Sequence, residues 1–301
     1  MITNSPQSLD AGDLRAVFWP DSGMLGVSLK HRGAELLRRI DDLETAKSKG
    51  STAGIPLLYP WANRLASLNY QAAGRDVSLD PSSLLLHFDD HHLPMHGVPW
   101  GQLAWEIVAA KPDSLLARLD WNHPDFLAIF PFPHTLEMAA TLNPSSLTLH
   151  TTVFAGANSS VPISFGFHPY FGIPQLPRSQ WRLQTPHMNK LQLDSTGIPT
   201  GVQESFGPFD SLLADKRFDD GFALVGAHSS FSLSGAGRQI TVTFLGNFPY
   251  AQIFAPNDKD FIAIEPMTAP TSALTSGQAL QVLAPGEQFR ASFRITVHSG
   301  V

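Results

Sequence analysis

The chain contains 301 residues, 43% of them hydrophobic and 15% charged, which is the composition of a globular protein and excludes a disordered one. Its formal net charge of -6 provides no basic surface for nucleic acid and no attraction to anionic membranes. The sequence has no cysteine, so disulfides, thiolate nucleophiles and thiolate metal ligands are excluded.

The first residues have neither the basic start nor the apolar run of a secretory signal. No segment approaches the roughly 20 apolar residues that span a bilayer. We therefore expect a cytoplasmic protein without a membrane partner, either a monomer or a homodimer.

Short strands are predicted at the start of the chain, at residues 16–18 and 25–29. Residues 33–49 allow two interpretations. Their leucines and Ile40 fall near a 3.6-residue period that predicts a helix, while the same residues suit a strand followed by a charged loop. Residues 47–54 are small and polar, which predicts a loop.

From residue 83 onward, a two-residue hydrophobic period predicts one strand after another. The strongest cases lie at residues 114–121, 135–142, 147–153, 239–245 and 288–297. With 24 Pro and 23 Gly separating such segments, the predicted class is all-β with antiparallel sheets, as a sandwich or barrel. No repeat or linker divides the sequence, so we predict a single domain over residues 1–301.

Asn63 and Arg64 lie near the end of a segment, residues 54–65, that contains two prolines and Trp61. Arg presents a fixed fork of donors that suits an oxygen-rich ligand. Trp61 suits stacking on a sugar face or filling the core. The competing interpretation is a surface Arg beside a buried Trp.

Residues 89–97 contain two carboxylates and three imidazoles. Transition metals favour such ligands, which makes a metal site one hypothesis. The segment also contains Pro and Gly, and it lacks the helical spacing that places two histidines on one face. We favour solvated turn residues with one functional histidine, His96, which precedes Gly97.

His168 lies at the centre of Ser-Phe-Gly-Phe-His-Pro-Tyr-Phe, residues 164–171. An unperturbed pKa of about 6.5 lets a histidine give and take a proton near neutral pH. Pro169 favours an extended backbone at His168, and Gly166 permits close approach to the backbone. The aromatic rings predict a water-poor wall. The alternative is a buried histidine in an aromatic core.

Glu265 interrupts the apolar run of residues 261–268. A carboxylate there is costly to bury unless it is paired, and burial would raise its pKa towards the range of a general base. The alternative is a Glu at a strand end that points to water. A weaker candidate is Asp219, in the Phe-Asp-Asp-Gly-Phe of residues 218–222, where an acidic pair before Gly often marks a plain turn.

Together these segments resemble the aldose 1-epimerase, or mutarotase, family, and they follow the family's order. The matching segments are GIPLLYPWANRL, LPMHGVPW, SFGFHPYF, FDDGF, IAIEPMTAPTSAL and APGE. Each is weak evidence alone, whereas the ordered set is specific. The resemblance implies a large antiparallel β-sandwich of the galactose mutarotase-like type that holds a sugar on a concave face. We expect it to need neither a cofactor nor a bound metal.

The resemblance also implies a reaction, in which the α and β anomers of an aldose interconvert by ring opening, rotation at C1 and ring closure. Glu265 would remove the proton of the anomeric hydroxyl, and His168 would deliver a proton to the ring oxygen. His96 would hydrogen-bond the ring oxygen or a neighbouring hydroxyl.

Asn63, Arg64 and Asp219 match the family's binding motifs, and the resemblance implies that this set holds the sugar hydroxyls. Asp219 is preferred over Asp220 because the family's acid follows an aromatic or apolar residue and comes three residues before a Phe, here Phe222.

The identity of the sugar is left open between a free hexose, a hexose 6-phosphate and a modified sugar. Phe167 stands where galactose-specific relatives tend to have Asn before the histidine, and Val98-Pro99-Trp100 departs from the aromatic and basic residues of many relatives. Lys216 and Arg217 are either phosphate contacts or simply solvated cations.

Two other classes compete with a mutarotase. A carbohydrate-binding β-sandwich would use aromatic and carboxylate groups without chemistry, but it has no need for both His168 and Glu265. A glycoside hydrolase or lyase would call for two carboxylates at the scissile bond, whereas the motifs here supply one His and one Glu.

Overall fold

The computed structural model describes residues 6–39, 42, 46 and 52–300. Across this part of the chain the strands form sheets of nine, eight, four, two and two members. The pairings that join neighbouring strands are antiparallel, for example between residues 134–143 and 146–155. The predicted all-β class with antiparallel sheets is confirmed.

The largest sheet has nine strands. In chain order they are β8 (Glu106–Lys111), β9 (Ser114–Trp121), β10 (His134–Asn143), β11 (Ser146–Ala155), β15 (Arg182–Thr185), β18 (Phe209–Leu212), β20 (Ser229–Gly235), β21 (Arg238–Gly246) and β25 (Gln288–Ser299). Across the sheet the order is β18-β15-β20-β21-β25-β11-β10-β9-β8. The strand β25 therefore lies in the middle of the sheet, between β11 and β21.

The strands predicted at residues 114–121, 135–142, 147–153, 239–245 and 288–297 all lie within this sheet. In β25 the buried and exposed side chains alternate as the two-residue period predicts, with Phe293 and Ile295 buried and Arg294 exposed.

The second large sheet has eight strands. They are β5 (Leu57–Leu58), β13 (Gly166–Phe167), β14 (Tyr170–Phe171), β16 (Met188–Leu193), β17 (Pro199–Phe206), β19 (Phe218–Leu224), β22 (Tyr250–Ala255) and β23 (Ile262–Met267). Their order is β17-β16-β19-β22-β23-β13-β5, and β14 also pairs with β23.

The remaining strands form smaller sheets. The sheet of four contains β1 (Gln7–Ala11), β2 (Leu14–Trp19), β3 (Leu25–His31) and β4 (Ala34–Glu35), and the two pairs are β6 (Asn69–Ala72) with β7 (Arg75–Ser78) and β12 (Val161–Ile163) with β24 (Gln281–Leu283). Short helices include α1 (Pro124–Ile129), α2 (Ala273–Ser276) and 3-10 turns at Pro20–Ser22, Trp100–Gln102 and Arg178–Gln180. No helix in the described part of the chain has the length and hydropathy to cross a bilayer.

The ambiguous segment at residues 33–49 begins as a strand, because Ala34–Glu35 pairs with β3 and residues 36–39 are not helical. Most of residues 40–51 lies outside the described residues, including most of the loop predicted at 47–54. Residues 52–54 have no regular structure, as predicted.

The two large sheets pack face to face through aromatic side chains. The ring centroids of Phe167 in β13 and Phe293 in β25 are 5.0 Å apart, and those of Phe165 and Phe289 are 6.1 Å apart. One contiguous apolar cluster contains buried residues from both sheets. The chain is therefore a β-sandwich, as the resemblance implied.

The outer face of the eight-stranded sheet carries polar groups because successive side chains of a strand point to opposite faces. In β23, Ile264 lies in the core and Glu265 points to the outer face. In β22, Ile253 lies in the core and Gln252 points to the outer face. This alternation puts buried polar side chains side by side over a cavity.

Candidate active site

A cavity of about 500 Å³ lies over the outer face of β19, β22 and β23, within the size range of small-molecule sites. Its described lining residues are Thr52, Asn63, Arg64, His87, Phe88, Asp89, Asp90, His91, Met95, His96, His168, Tyr170, Asp219, Gln252, Phe254 and Glu265. The structure thus brings together all six residues for which the sequence predicted a catalytic or binding role. A larger depression of about 700 Å³ on the N-terminal sheet contains none of them.

His168 and Glu265 meet at the base of this cavity. Imidazole Nε2 lies 3.2 Å from carboxylate Oε1, and both side chains are almost fully buried. Oε2 of Glu265 has no hydrogen-bond partner among the described residues. Because an unsatisfied buried carboxylate oxygen is costly, this atom is suited to accept a hydrogen bond from a ligand hydroxyl.

Burial shifts the pKa values of this pair in opposite directions. It raises the pKa of Glu265 well above its ordinary value of 4.5, and the nearby charge of Asp219 adds to the shift. It lowers the pKa of His168 well below 6.5, helped by His96 and Arg38. Each shift disfavours the charged form, so burial favours a neutral pair whose one proton lies on Glu265 rather than on His168.

The backbone around His168 is held by close packing of three segments. The amide of His168 donates to the carbonyl of Pro56 at 3.0 Å. Gly166 pairs with both Leu58 and Met267, and a Cβ atom there would lie 2.7 Å from the carbonyl oxygen of Pro266. The close approach that Gly166 was predicted to permit is therefore made by the neighbouring strand β23.

His96 is fixed by two reciprocal contacts with Asn63. The amide of His96 donates to the Asn63 carbonyl at 2.9 Å, and the amide of Asn63 donates to Nδ1 of His96 at 3.2 Å. Because Nδ1 accepts a hydrogen bond, a neutral His96 carries its proton on Nε2 and can donate from there. Burial, with the charges of Arg64 and His87, lowers the pKa of His96 to about 3, so the ring is neutral at physiological pH.

Arg64 is paired with a carboxylate that the sequence had placed among solvated turn residues. Its Nε lies 2.5 Å from Oδ2 of Asp89, whose side chain is only 6% exposed, and its Nη1 donates to Oδ1 of Asn63 at 3.2 Å. Oδ1 of Asp89 accepts from the amides of His91 and Leu93 at 2.9 Å. Burial alone would raise the pKa of Asp89, but these hydrogen bonds together lower it, so Asp89 is ionised.

Asp219 and Asp220 point to opposite faces of β19. Asp219 faces the cavity, and its Oδ1 accepts a hydrogen bond from Nε2 of Gln252 at 3.0 Å. Asp220 pairs with Lys190 at 2.7 Å. The sequence preference for Asp219 over Asp220 thus matches the face that reaches the cavity.

The Asp and His residues at 89–96 do not converge on one point. His91 and His92 are exposed, while Asp89 is engaged by Arg64. Within the described residues no group of three or more His, Asp or Glu side chains has the arrangement of a metal site.

Sequence reasoning missed Gln252 and Thr52, and it gave Tyr170 only the general role of an aromatic wall. Gln252 is buried on β22 directly opposite Glu265. Thr52 hydrogen-bonds the hydroxyl of Tyr170, whose ring stacks on His168 with centroids 4.2 Å apart. A Gln within the mostly apolar segment Tyr-Ala-Gln-Ile-Phe-Ala was a weak signal for Gln252, whereas a single Thr in a polar loop carries none.

Comparison with known proteins agrees with this architecture. Among curated proteins, the protein YphB of Escherichia coli strain K12, described as uncharacterized, is 26% identical over 251 residues, which span 80% of this chain and 82% of YphB. Among solved structures, a galactose mutarotase-like protein from Clostridium acetobutylicum superposes with a TM-score of 0.84 at 20% identity, over 97% of this chain and 94% of that one. A GalM/aldose epimerase homologue from C. elegans gives a TM-score of 0.82 at 15% identity, over 99% of this chain and 100% of that one.

These structural likenesses establish the galactose mutarotase-like fold. The family assignment rests on a separate finding, since the sequence model described as aldose 1-epimerase matches residues 8–296. That match extends over nearly the whole chain and includes every residue that lines the cavity. The chain therefore belongs to the aldose 1-epimerase family.

Proposed function

We propose that this protein is a mutarotase that interconverts the α and β anomers of a free aldose by acid/base ring opening and closure. One observation carries the proposal: an imidazole nitrogen of His168 and a carboxylate oxygen of Glu265 lie 3.2 Å apart at the base of a cavity. The anomeric and ring oxygens of a pyranose are bonded to the same carbon, so their acid and base must converge on one place. This pair does so.

In the proposed reaction, the proton of the neutral pair first passes from Glu265 to Nε2 of His168 across the 3.2 Å contact, and the resulting carboxylate removes the proton from the anomeric hydroxyl. The imidazolium of His168 gives its proton to the ring oxygen as the bond from that oxygen to C1 breaks. The product is the open-chain aldehyde, which rotates about the C1–C2 bond before the ring closes by the reverse transfers. A positioned acid and base each contribute roughly 10² to 10⁴ in rate.

The neighbouring side chains fit the demands of this reaction. The Nε2 hydrogen of neutral His96 is available to donate to the oxygen on which negative charge develops. The Arg64–Asp89 pair and the Gln252–Asp219 pair offer donors and acceptors for sugar hydroxyls, and mutual hydrogen bonds hold both pairs in place. Preorganised donors of this kind cost no rearrangement during the reaction.

The charge of the cavity favours an unphosphorylated sugar over a hexose 6-phosphate. Among the described lining residues Arg64 is the single Lys or Arg side chain, and Asp89 already neutralises it. Asp219 adds negative charge to the cavity. Lys216 and Arg217, which the sequence suggested as phosphate contacts, are exposed and do not line the cavity. A phosphate dianion would therefore meet uncompensated carboxylate charge.

The test is the polarimetric equilibration of freshly dissolved α-D-glucose and α-D-galactose, with the buffer rate subtracted and no metal added. We expect the protein to accelerate it, and we expect Glu265→Gln and His168→Asn each to lower kcat by roughly 10² to 10⁴. Glu137→Gln, on β10 in the other sheet, is the matched control and should keep wild-type rates. The mechanism is wrong if both site variants stay folded and retain the wild-type rate.

The same assay separates the alternatives. We expect kcat/KM for glucose 6-phosphate to be at least about tenfold below that for glucose, and the reverse order would establish a phosphosugar enzyme. Saturable binding of glucose or galactose, measured by calorimetry, without any acceleration of mutarotation would instead identify a carbohydrate-binding protein.

A further inference from the structure

The ring of His168 lacks the Nδ1 hydrogen bond to another described residue that usually orients a functional histidine. In most such sites one ring nitrogen works while the other donates to a carbonyl or carboxylate that sets the ring plane. Here Nδ1 of His168 is buried and has no hydrogen-bond partner on another described residue, and the backbone interaction of the ring is with His168 itself. Some other contact must therefore hold the imidazole so that Nε2 faces Glu265.

Tyr170 makes that contact. Its ring stacks on the imidazole of His168 with centroids 4.2 Å apart and planes 11° from parallel, and its hydroxyl lies 3.1 Å from Nε2. Because the planes are nearly parallel, the hydroxyl approaches Nε2 from the face of the ring. The in-plane direction of Nε2 is thus left to Glu265 and the cavity. Phe254 and His96 contact the ring only at steep angles, 81° and 79°.

Tyr170 is itself fixed at both ends. Its backbone amide donates to the carbonyl of Gly54 at 2.9 Å, and its hydroxyl is bonded to Oγ1 of Thr52. The guanidinium of Arg38 lies 5.6 Å from its ring centroid. Because Tyr170 is only 3% exposed and hydrogen-bonded to Thr52, its side chain has little freedom to rotate.

We infer that Tyr170, anchored by the hydroxyl of Thr52, is a positioning residue that sets the orientation of the His168 imidazole. The kinetic tests of this role rest on the proposed mutarotase function, whereas the orientation of the imidazole can be tested without it. Two features of the contact are separable by substitution: the stacked ring, and the hydroxyl shared by Thr52 and His168.

Substitutions at both residues test the inference. Thr52→Val and Tyr170→Phe remove the hydrogen bond between these two side chains but keep an aromatic ring at 170, so kcat should fall about tenfold, the effect of one lost hydrogen bond, with KM little changed. Tyr170→Leu also removes the stack and should lower kcat about 100-fold, the loss expected when a reacting group is displaced by about 1 Å. Thr52→Ser keeps the hydroxyl that Thr52→Val removes, so this variant should have wild-type rates.

Tyr70→Phe is the matched control. Tyr70 is also buried, and its hydroxyl donates to the carbonyl of Ile129 at 2.8 Å, away from the cavity. This variant should lose stability but keep kcat and KM. If Tyr170 instead only binds sugar, Tyr170→Phe will raise KM and leave kcat unchanged, and that split would overturn the inference.

A substrate-free measurement separates this inference from the proposed function. The measurement is a 15N NMR spectrum of the imidazoles, in which the His168 signals are assigned by their loss in His168→Asn. We expect Thr52→Val and Tyr170→Phe to shift the Nε2 resonance of His168. Tyr70→Phe should leave it unchanged. An inactive wild-type protein that shows these shifts would refute the mutarotase and support the positioning role. Unchanged His168 signals in all the site variants would refute the positioning role even in an active enzyme.

Discussion

Two ionisable side chains, His168 and Glu265, are buried together where each alone would be costly. The idealised cost of burying one unpaired charge is far larger than the stability of a protein domain, so such groups pair or become neutral. At 3.2 Å the two are close enough to pass a proton between them, and their opposite pKa shifts have the same main cause, loss of water. A pair that holds one proton has one group ready to give and one ready to accept.

We predict a bell-shaped dependence of kcat/KM on pH. As pH falls, the pair gains a second proton and has no base, and because the pKa of His168 is lowered this loss begins only below pH 6.5. As pH rises, the pair loses its last proton and has no acid, and because the pKa of Glu265 is raised this loss lies well above pH 4.5. The two apparent pKa values belong to the pair.

The measurement is a kcat/KM profile by polarimetry, with the enzyme-free rate subtracted at each pH. His187→Gln is the control, since His187 is exposed and does not line the cavity, and it should leave both limbs unchanged. A profile that rises or falls steadily with pH would contradict the one-proton pair.

The ordered motifs allowed most of the candidate site to be predicted at this scale. Arg64, His96, His168, Asp219 and Glu265 come from five separated segments, yet they share one cavity. Gln252 could not be identified in this way, because an isolated polar residue in a strand can face either water or a ligand. Which one it faces depends on the register of β22 with β23, which the sequence of one strand does not contain.

At the scale of elements, the site depends on left-handed backbone conformations in two separate segments. Asn63, His96 and Gly97 all have positive φ, at 58°, 63° and 66°. Non-glycine residues in this region cost about 1 kcal/mol or more each, and here the two Asn63–His96 hydrogen bonds offset that cost. Gly97 is required for a further reason, since an added Cβ would lie 2.2 Å from the carbonyl oxygen of Tyr59.

We predict that Gly97→Ala destabilises the protein by more than about 3 kcal/mol and lowers activity by displacing His96. Gly74→Ala is a matched control, because Gly74 has a φ of 74° but nothing within 4 Å of an added Cβ. It should cost about 1 kcal/mol and leave kcat unchanged. Urea unfolding and polarimetry measure the two effects, and equal destabilisation by both variants would show that the Tyr59 clash is relieved.

The strands predicted most clearly from the sequence are long, and the shortest strands were not predicted. A two-residue period needs four or more residues to be visible, which β9, β10, β11, β21 and β25 provide. The strands β5, β13 and β14 have two residues each and lie in segments rich in Pro and Gly. They form because β23 and its neighbours pair with them, and that is a tertiary effect.

At the scale of the whole molecule, aromatic packing joins the two large sheets. Phe293 on β25 contacts Phe167 beside His168, and Phe248 fills the space between the sheets. The predicted single domain therefore has a direct consequence, which is that both sheets should unfold together.

We predict that Phe293→Ala lowers the free energy of unfolding by about 3 to 5 kcal/mol and that tryptophan fluorescence and far-UV circular dichroism report the same urea midpoint. Val202→Ala is the control, since Val202 is 52% exposed, and it should change stability by less than about 0.5 kcal/mol. Two separate transitions would divide the chain into more than one folding unit.

The fold class followed from the hydrophobic period, but the strand order did not. In the nine-stranded sheet β25 pairs with β11 and β21, which precede it in the chain by more than a hundred and by about forty residues. Side-chain alternation shows which face of a strand is buried, but it does not identify the strands that pair with it. The family resemblance implied a β-sandwich but gave no order for its strands.

The central place of β25 also affects how the chain is made. Until residues 288–299 leave the ribosome, β11 and β21 each present an open edge with unpaired backbone groups, and such edges invite association with other chains. The sandwich must therefore be completed after synthesis has passed this strand, with partly formed sheets in the meantime. High yield of soluble protein in a cell should accordingly depend on chaperones that cover those edges during translation.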